Sequence, residues 1–161
     1  MDSGTVIVGL VLVAICVLPI VILNGRRAKK GRGMLQLITK VANEHNCNIS
    51  EHEFCSEYCI GMDKTNGFVF FAKEKDGTSE VRHIDLAPVK TCKINNTGRI
   101  VTYKNQNNKI IERLSLDFYP KEKDKGVVTW EFYNVEENLQ LNGELQSVEK
   151  WQQTINNYLK G

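Results

Sequence analysis

RLSLDFY, residues 113–119, alternates apolar and polar side chains with a period of two. Leu114, Leu116 and Phe118 fall on one face of an extended strand, and Arg113, Ser115 and Asp117 on the other. Val128, Trp130 and Phe132 repeat the pattern after the polar stretch PKEKDKG. Two neighbouring strands with one apolar face each must bury those faces against another layer, so the fold is mainly β with helices added. Working outward, similar runs occupy residues 58–62, 67–73, 81–86, 89–95, 99–104, 110–119 and 126–133. They are separated by the turn signals DKTNG, EKDGTS, NNTG, NQNN and PKEKDKG. Seven short strands with tight connections predict an antiparallel sandwich or small barrel.

The period changes to 3.6 on either side of this block. At the C-terminal end, Leu141, Leu145, Val148, Trp151, Ile155 and Leu159 form one apolar stripe, which predicts an amphipathic helix covering an open end of the sheet. Before the strands, MLQLITKVANEHNC opens residues 34–47 as a shorter amphipathic helix, expected to end in the Asn-rich residues 43–46. Seven strands and one C-terminal helix with a core Trp in EKWQQTI resemble the pleckstrin-homology-like superfold over residues 54–161. In its phosphoinositide-binding members, the resemblance implies basic residues on the first two strands and their connecting loop. The corresponding stretch here, SEYCIGMDKTNGFVFFAKEK, offers Lys64 in the loop and Lys73 and Lys75 only at its far end, so no lipid-binding residue is carried over. The superfold hosts protein-binding members as readily, and fold alone does not fix function.

Residues 5–23, TVIVGLVLVAICVLPIVIL, carry no charge. As a helix they extend about 28 Å, close to the thickness of a bilayer's hydrocarbon core. A cleaved signal peptide wants a basic start and a small-residue cleavage site. Here the start is MDSG, and the run is followed by Arg26, Arg27, Lys29, Lys30 and Arg32. Positive charge of this kind stays on the cytoplasmic side. The sequence therefore predicts a single-pass membrane protein with residues 1–4 outside, a transmembrane helix at 5–23, a basic linker at 24–33 with a hinge at residues 31–33, and a cytoplasmic domain. The same five cations are candidates for contact with anionic lipid headgroups. A nucleic-acid partner is not expected: residues 34–161 hold sixteen Lys and Arg against eighteen Asp and Glu, which leaves no basic footprint for phosphate.

The most chemically loaded stretch is HNCNISEHEFCSEYC, residues 45–59. His45, Cys47, His52, Cys55 and Cys59 supply enough ligands for zinc, but their spacing lacks the close pairs of a structural site. On one extended strand Cys55 and Cys59 would share a face about 13 Å apart. A small zinc-binding protein is thus an alternative, and a cofactor is not expected. The reducing compartment disfavours a disulfide. His83, inside a strand, is expected to be a hydrogen-bonded structural histidine. No nucleophile elbow, metalloprotease helix or phosphate loop surrounds any of the three histidines, and no enzymatic activity is expected. Asn48 and Asn95 match the glycosylation sequon and are expected to be unmodified in a cytoplasmic domain. The reading as a whole is a membrane-tethered module that binds a protein partner or acts as a scaffold, with anionic-lipid recognition as the alternative.

Overall fold

The computed structural model describes the backbone of residues 3–103 and 106–161, and the side chains of Ile15 and of residues 25–100 and 110–161. A single helix, α1 (Ser3–Glu44), leads into seven antiparallel strands: β1 (Glu51–Cys55), β2 (Tyr58–Asp63), β3 (Phe68–Lys75), β4 (Thr78–Asp85), β5 (Val89–Tyr103), β6 (Gln106–Pro120) and β7 (Val128–Asn134). Helix α2 (Glu144–Lys160) closes the chain. The strands form two meanders, a four-stranded sheet in the order β1-β2-β3-β4 and a three-stranded sheet in the order β5-β6-β7. The fold is therefore mainly β, a sandwich of two antiparallel sheets with two helices.

The alternation of residues 113–119 places Leu114, Leu116 and Phe118 in the core, at no more than 1% exposure. They meet Trp130 and Phe132 of β7 and Tyr58, Ile60, Met62, Val69 and Phe71 of the facing sheet. On the reverse face Arg113 is exposed, whereas Ser115 and Asp117 are buried. Asp117 accepts hydrogen bonds from Asn95 (3.2 Å) and Ser115 (3.4 Å), which is how that face tolerates polar groups away from water. The α2 stripe seals the open edge: Val148, Trp151 and Ile155 are fully buried. Asn156 completes the seal, its amide bonding both the N–H (2.9 Å) and the C=O (2.7 Å) of Cys92 on β5. One side-chain amide thus takes the place of a neighbouring strand there.

β2 is buried along its whole length, because its sheet is covered on both faces. The inner face looks into the sandwich. The outer face, with Cys59, Phe70 and Ala72, packs against Met34, Ile38 and Ala42 of α1. Spacing of four residues puts these three on one side of the helix. Gly61 lets the helix come close, since a Cβ there would lie 3.1 Å from Ile38 Cδ1 and 2.9 Å from Ile49 Cγ2.

Several expectations change. Residues 24–33 are helical and continuous with residues 34–44, so the expected hinge at residues 31–33 is instead part of α1. Gly31 is small for a packing reason: a Cβ would sit 2.9 Å from Phe54 of β1. The expected helix at 34–47 is the last part of α1, ending at Glu44 with Asn46 left-handed (φ 55°), in agreement with the expected Asn-rich stop. β1 is a strand that the periodicity does not predict, and the sandwich begins at Glu51 rather than at residue 54. The two strands expected at 89–95 and 99–104 are one strand, β5. NNTG there runs on as strand rather than a turn, and the register shifts between Thr97 and Gly98, where β6 carries the extra residue Glu112. The expected transmembrane segment at 5–23 lies outside the residues whose side chains are described, apart from Ile15. Among the described residues no helix is long and apolar enough to cross a membrane.

The two glycines of the basic segment are expected to respond differently to Ala. Gly33 has nothing within 4 Å of a Cβ, so Gly33→Ala is expected to stabilise by about 0.5–1 kcal/mol through helix propensity alone. Gly31→Ala is expected to lose that gain to the contact with Phe54. Chemical denaturation of the two variants side by side checks the difference; equal stabilisation would mean that α1 does not rest on β1.

Candidate functional site

The basic segment of α1 and the loop between β7 and α2 border the same groove. Arg27 and Lys30 form one wall of this opening of ≈ 500 Å³; Phe54, Cys55, Ser56 and Glu57 of the β1–β2 hairpin form its floor; Asn138 and Asn142 close it. Lys30 is tied down by Glu74 (3.0 Å) and Glu57 (3.9 Å). Arg26, Arg27, Lys29 and Arg32 are exposed, and among the described residues none of the four has a carboxylate within ion-pair distance. The five candidate headgroup contacts therefore divide into one structural lysine and four outward cations.

The lysines that end β3 take no part in this surface. Lys73 pairs with Glu131 (3.4 Å) and Glu137 (2.8 Å), and Lys75 with Glu137 (2.9 Å). Glu137 is held below the usual carboxylate range by the Lys73 ammonium first, with Lys75 adding to it against the opposing effect of burial. Because this cluster neutralises itself, it offers little field to an anion. Lys64 likewise bonds Glu51 at 2.6 Å.

The HNCNISEHEFCSEYC segment does not fold as one strand. Ser56, left-handed at φ 51°, turns the chain so that Cys55 pairs with Tyr58 and Phe54 with Cys59. Cys55 and Cys59 consequently sit on opposite faces of the sheet, which separates them for a different reason from the spacing argument. Cys55 points to the main core and α2; Cys59 lies fully buried under α1. Cys47 is buried and donates to the His45 carbonyl (3.5 Å), while His52 is exposed on β1. His45 is drawn away to β4, its ring 4.2 Å from that of His83 and 5.9 Å from Phe68. Among the described residues no three His, Cys, Asp or Glu side chains are grouped to hold a metal ion. All four described cysteines are free, and burial pushes their thiols up, Cys59 and Cys92 to about 12. A thiol in that range holds its proton and is a poor nucleophile.

At the opposite end of the sandwich lies an open apolar groove of ≈ 320 Å³, where Phe68, Pro88, Val89, Phe118, Pro120 and Val128 meet His83. Val128 (43% exposed) stands at its rim, and Val127 (47%) precedes it in the chain. The neighbouring loop lysines are partly used: Lys121 donates to the Ala87 carbonyl (2.7 Å) and Lys125 pairs with Glu122 (3.2 Å). Gln152 of α2 turns its amide N–H to the Cys92 carbonyl (3.4 Å). His83 is in aromatic contact with His45 and Phe70, in place of the hydrogen bond expected of it.

Sequence reasoning also passes over Asp63. Buried to 1% exposure, it gathers the N–H groups of Asn48 (2.7 Å), Thr65 (2.8 Å) and Asn66 (3.0 Å) and the Asn66 amide (2.8 Å). It thereby joins the exit of α1 to the β2–β3 turn. Burial alone would raise its pKa, and the combined hydrogen bonds from Asn66, Asn48 and Thr65 bring it below the ordinary value. A signal exists in the sequence: Asp two residues before Thr and three before Asn in DKTNG is an Asx-turn pattern.

Comparison with protein-family models, curated proteins and solved structures finds no match to this chain.

Two outcomes are expected from this geometry. Asp63→Asn keeps the shape but aims a donor at backbone donors, and is expected to cost about 2–3 kcal/mol of unfolding free energy. Urea titration checks it; a change within error would remove Asp63 as the clasp. His83, exposed on β4, is held below its ordinary 6.5, by the partial desolvation its neighbours cause first and by the proximity of His45 second. In the unfolded chain it binds more protons as pH falls, so the stability from this packing is complete above about 6.5 and declines below it. The melting temperature is expected to fall slightly between about pH 7.5 and about pH 5, and His83→Phe is expected to flatten that slope. An unchanged slope in the variant would assign the pH dependence elsewhere.

Proposed function

We propose that this chain is a membrane-tethered, non-catalytic interaction module: residues 5–23 span the bilayer, and a pleckstrin-homology-like domain beyond them faces the cytoplasm and binds a protein partner. The observation that carries the reading is that α1 continues unbroken from the apolar run into the sandwich, where Met34, Ile38 and Ala42 dock on β2 and β3. Anchor and domain then form one body, so the domain is presented at a fixed height and tilt. Ile15, the described side chain of the run, is 62% exposed, as a side chain facing lipid would be. A four-plus-three meander closed by a helix with fully buried Trp151 supports the superfold assignment. The raised thiols and the lack of any enzymatic motif support a binding role over a catalytic one.

For the partner, the apolar groove rimmed by Val128 is the favoured surface, because it lies at the end of the sandwich beside the last turn of α1, farthest from the anchor. Tethering raises the effective concentration of a weak binder at the membrane, which suits a shallow groove. The alternative, recognition of anionic headgroups, is favoured by the four outward cations at residues 26, 27, 29 and 32. That reading expects anionic lipid to co-purify with the protein and to be lost when the four are replaced by Gln.

Expressed in a eukaryotic cell, the full chain is expected to resist alkaline carbonate extraction and to show no mobility shift on glycosidase treatment. Asn48 and Asn95 are both exposed, so a domain on the other side of the membrane would be open to modification. Extraction by carbonate would remove the anchor; a glycan on Asn48 would reverse the orientation. For the partner, a photocrosslinker at Val128 is expected to give one discrete adduct, and one at Glu80 on the outer strand none. Equal adducts at both would discard the groove.

A further inference from the structure

Leu139 is 88% exposed, the most exposed large apolar side chain among the described residues. A single exposed leucine is ordinary. Its setting is not. The loop that carries it, residues 135–143, is pinned at both ends. At one end the Asn134 carbonyl accepts from Glu137 N–H and Asn138 N–H (both 3.0 Å), its side-chain oxygen accepts from Glu136 N–H (3.1 Å), and Val135 N–H reaches the Glu112 carbonyl (2.8 Å). At the other end Leu141 packs on the core, and buried Glu144 accepts from the Asn142 N–H. A loop held this firmly presents Leu139 outward as a fixed feature.

The loop's height along α1 is set by helix geometry. Asn138 and Asn142 line the same groove as Arg27 and Lys30. Arg27 lies four residues, about 6 Å, beyond Leu23, and Lys30 seven residues, about 10 Å. The polar layer outside a bilayer's hydrocarbon core is about 5–8 Å deep on each side. α1 is continuous here, so Arg27 falls within that layer and Lys30 just beyond its outer edge, and the loop faces the outer part of the headgroup layer. The outward cations Arg26, Arg27 and Lys29 ring the same level and favour an anionic leaflet. Of the loop's two carboxylates, Glu137 is paired with Lys73 and Lys75, and Glu136, three residues before Leu139, is exposed.

We infer that the 135–143 loop is a second membrane contact, with Leu139 inserted among the headgroups of the bilayer that holds α1. This rests on the reading of residues 5–23 as a membrane span and adds to it. The domain would be held at two points, a helix through the bilayer and an apolar side chain on its surface, and so could not swivel about the helix axis. The far groove would then point steadily into the cytoplasm.

The test uses the full chain reconstituted in vesicles of phosphatidylcholine and phosphatidylserine, with and without brominated acyl chains. Trp130 and Trp151 are buried at 1% and 0% exposure and supply an internal unquenched signal. Leu139→Trp is expected to add emission that brominated lipid quenches roughly twofold, as for a side chain buried in the interface. Val127→Trp, at the opposite end of the sandwich, is expected to add emission that is not quenched. Flotation of the same vesicles reports the anchor separately. Protein that floats but shows no quenching at position 139 overturns the loop contact and leaves the anchor standing. Protein that does not float overturns both. Quenching at both positions would mean that the domain lies flat rather than in the orientation set by α1, and would also overturn the inference.

Discussion

The packing of α1 on the outer face of β2 and β3 is the contact on which the rest of the structure depends. A sheet of a sandwich ordinarily shows one apolar face, with polar residues alternating along each strand. β2 and β3 instead read YCIGMD and FVFFAK, apolar on both faces, and without the helix Cys59, Phe70 and Ala72 would stand in water. Each such side chain returned to solvent forfeits on the order of 1–3 kcal/mol for the larger residues. The helix is thus one of three layers of the domain. The same contact runs from Gly31 against β1 to His45 against β4, so it also sets the orientation of everything downstream.

The two ends of the sandwich differ as a result. Near the start of the docked helix, charges are either consumed in local pairs, as at Lys73, Lys75 and Glu137, or directed outward from α1, as at Arg26, Arg27, Lys29 and Arg32. Near its end, Asp63 fastens the helix exit to the β2–β3 turn, and the surface becomes apolar around Phe68, Pro88 and Val128. The proposed tether at one end and an apolar groove at the other suit a module that works by position. The cysteines fit this picture as small core residues.

Much of the sandwich can be read directly from the sequence, where periodicity carries a single meaning. The alternation at 113–119 and the stripe of α2 are one-faced patterns and lead to the right elements. Elsewhere, local signals conflict with tertiary ones. Glycines at 31 and 33 and five cations read as a hinge, yet the close approach of Phe54 requires a small residue at 31, and helix continuity overrides propensity. The short strand β1 has little alternation and is defined by its pairing with β2, which no local pattern records. NNTG carries turn residues, but its glycine admits the close approach of the Ile110 carbonyl of β6 beside the register shift. The candidate surfaces are less legible still. The basic cluster is evident, but its division into Lys30 and four outward cations depends on Glu57 and Glu74. The apolar groove and the Leu139 loop arise from residues far apart in the chain.

The central claim is that α1 is one rigid helix through residues 24–33. Amide hydrogen exchange on the full chain in lipid nanodiscs tests it most directly. In a continuous helix, the amides of residues 28–34 are expected to be protected to the same degree as those of residues 35–42, which lie in its docked part. Exchange at residues 31–33 as fast as at the Asp76–Gly77 turn would contradict it, restoring a flexible linker between the apolar run and the domain.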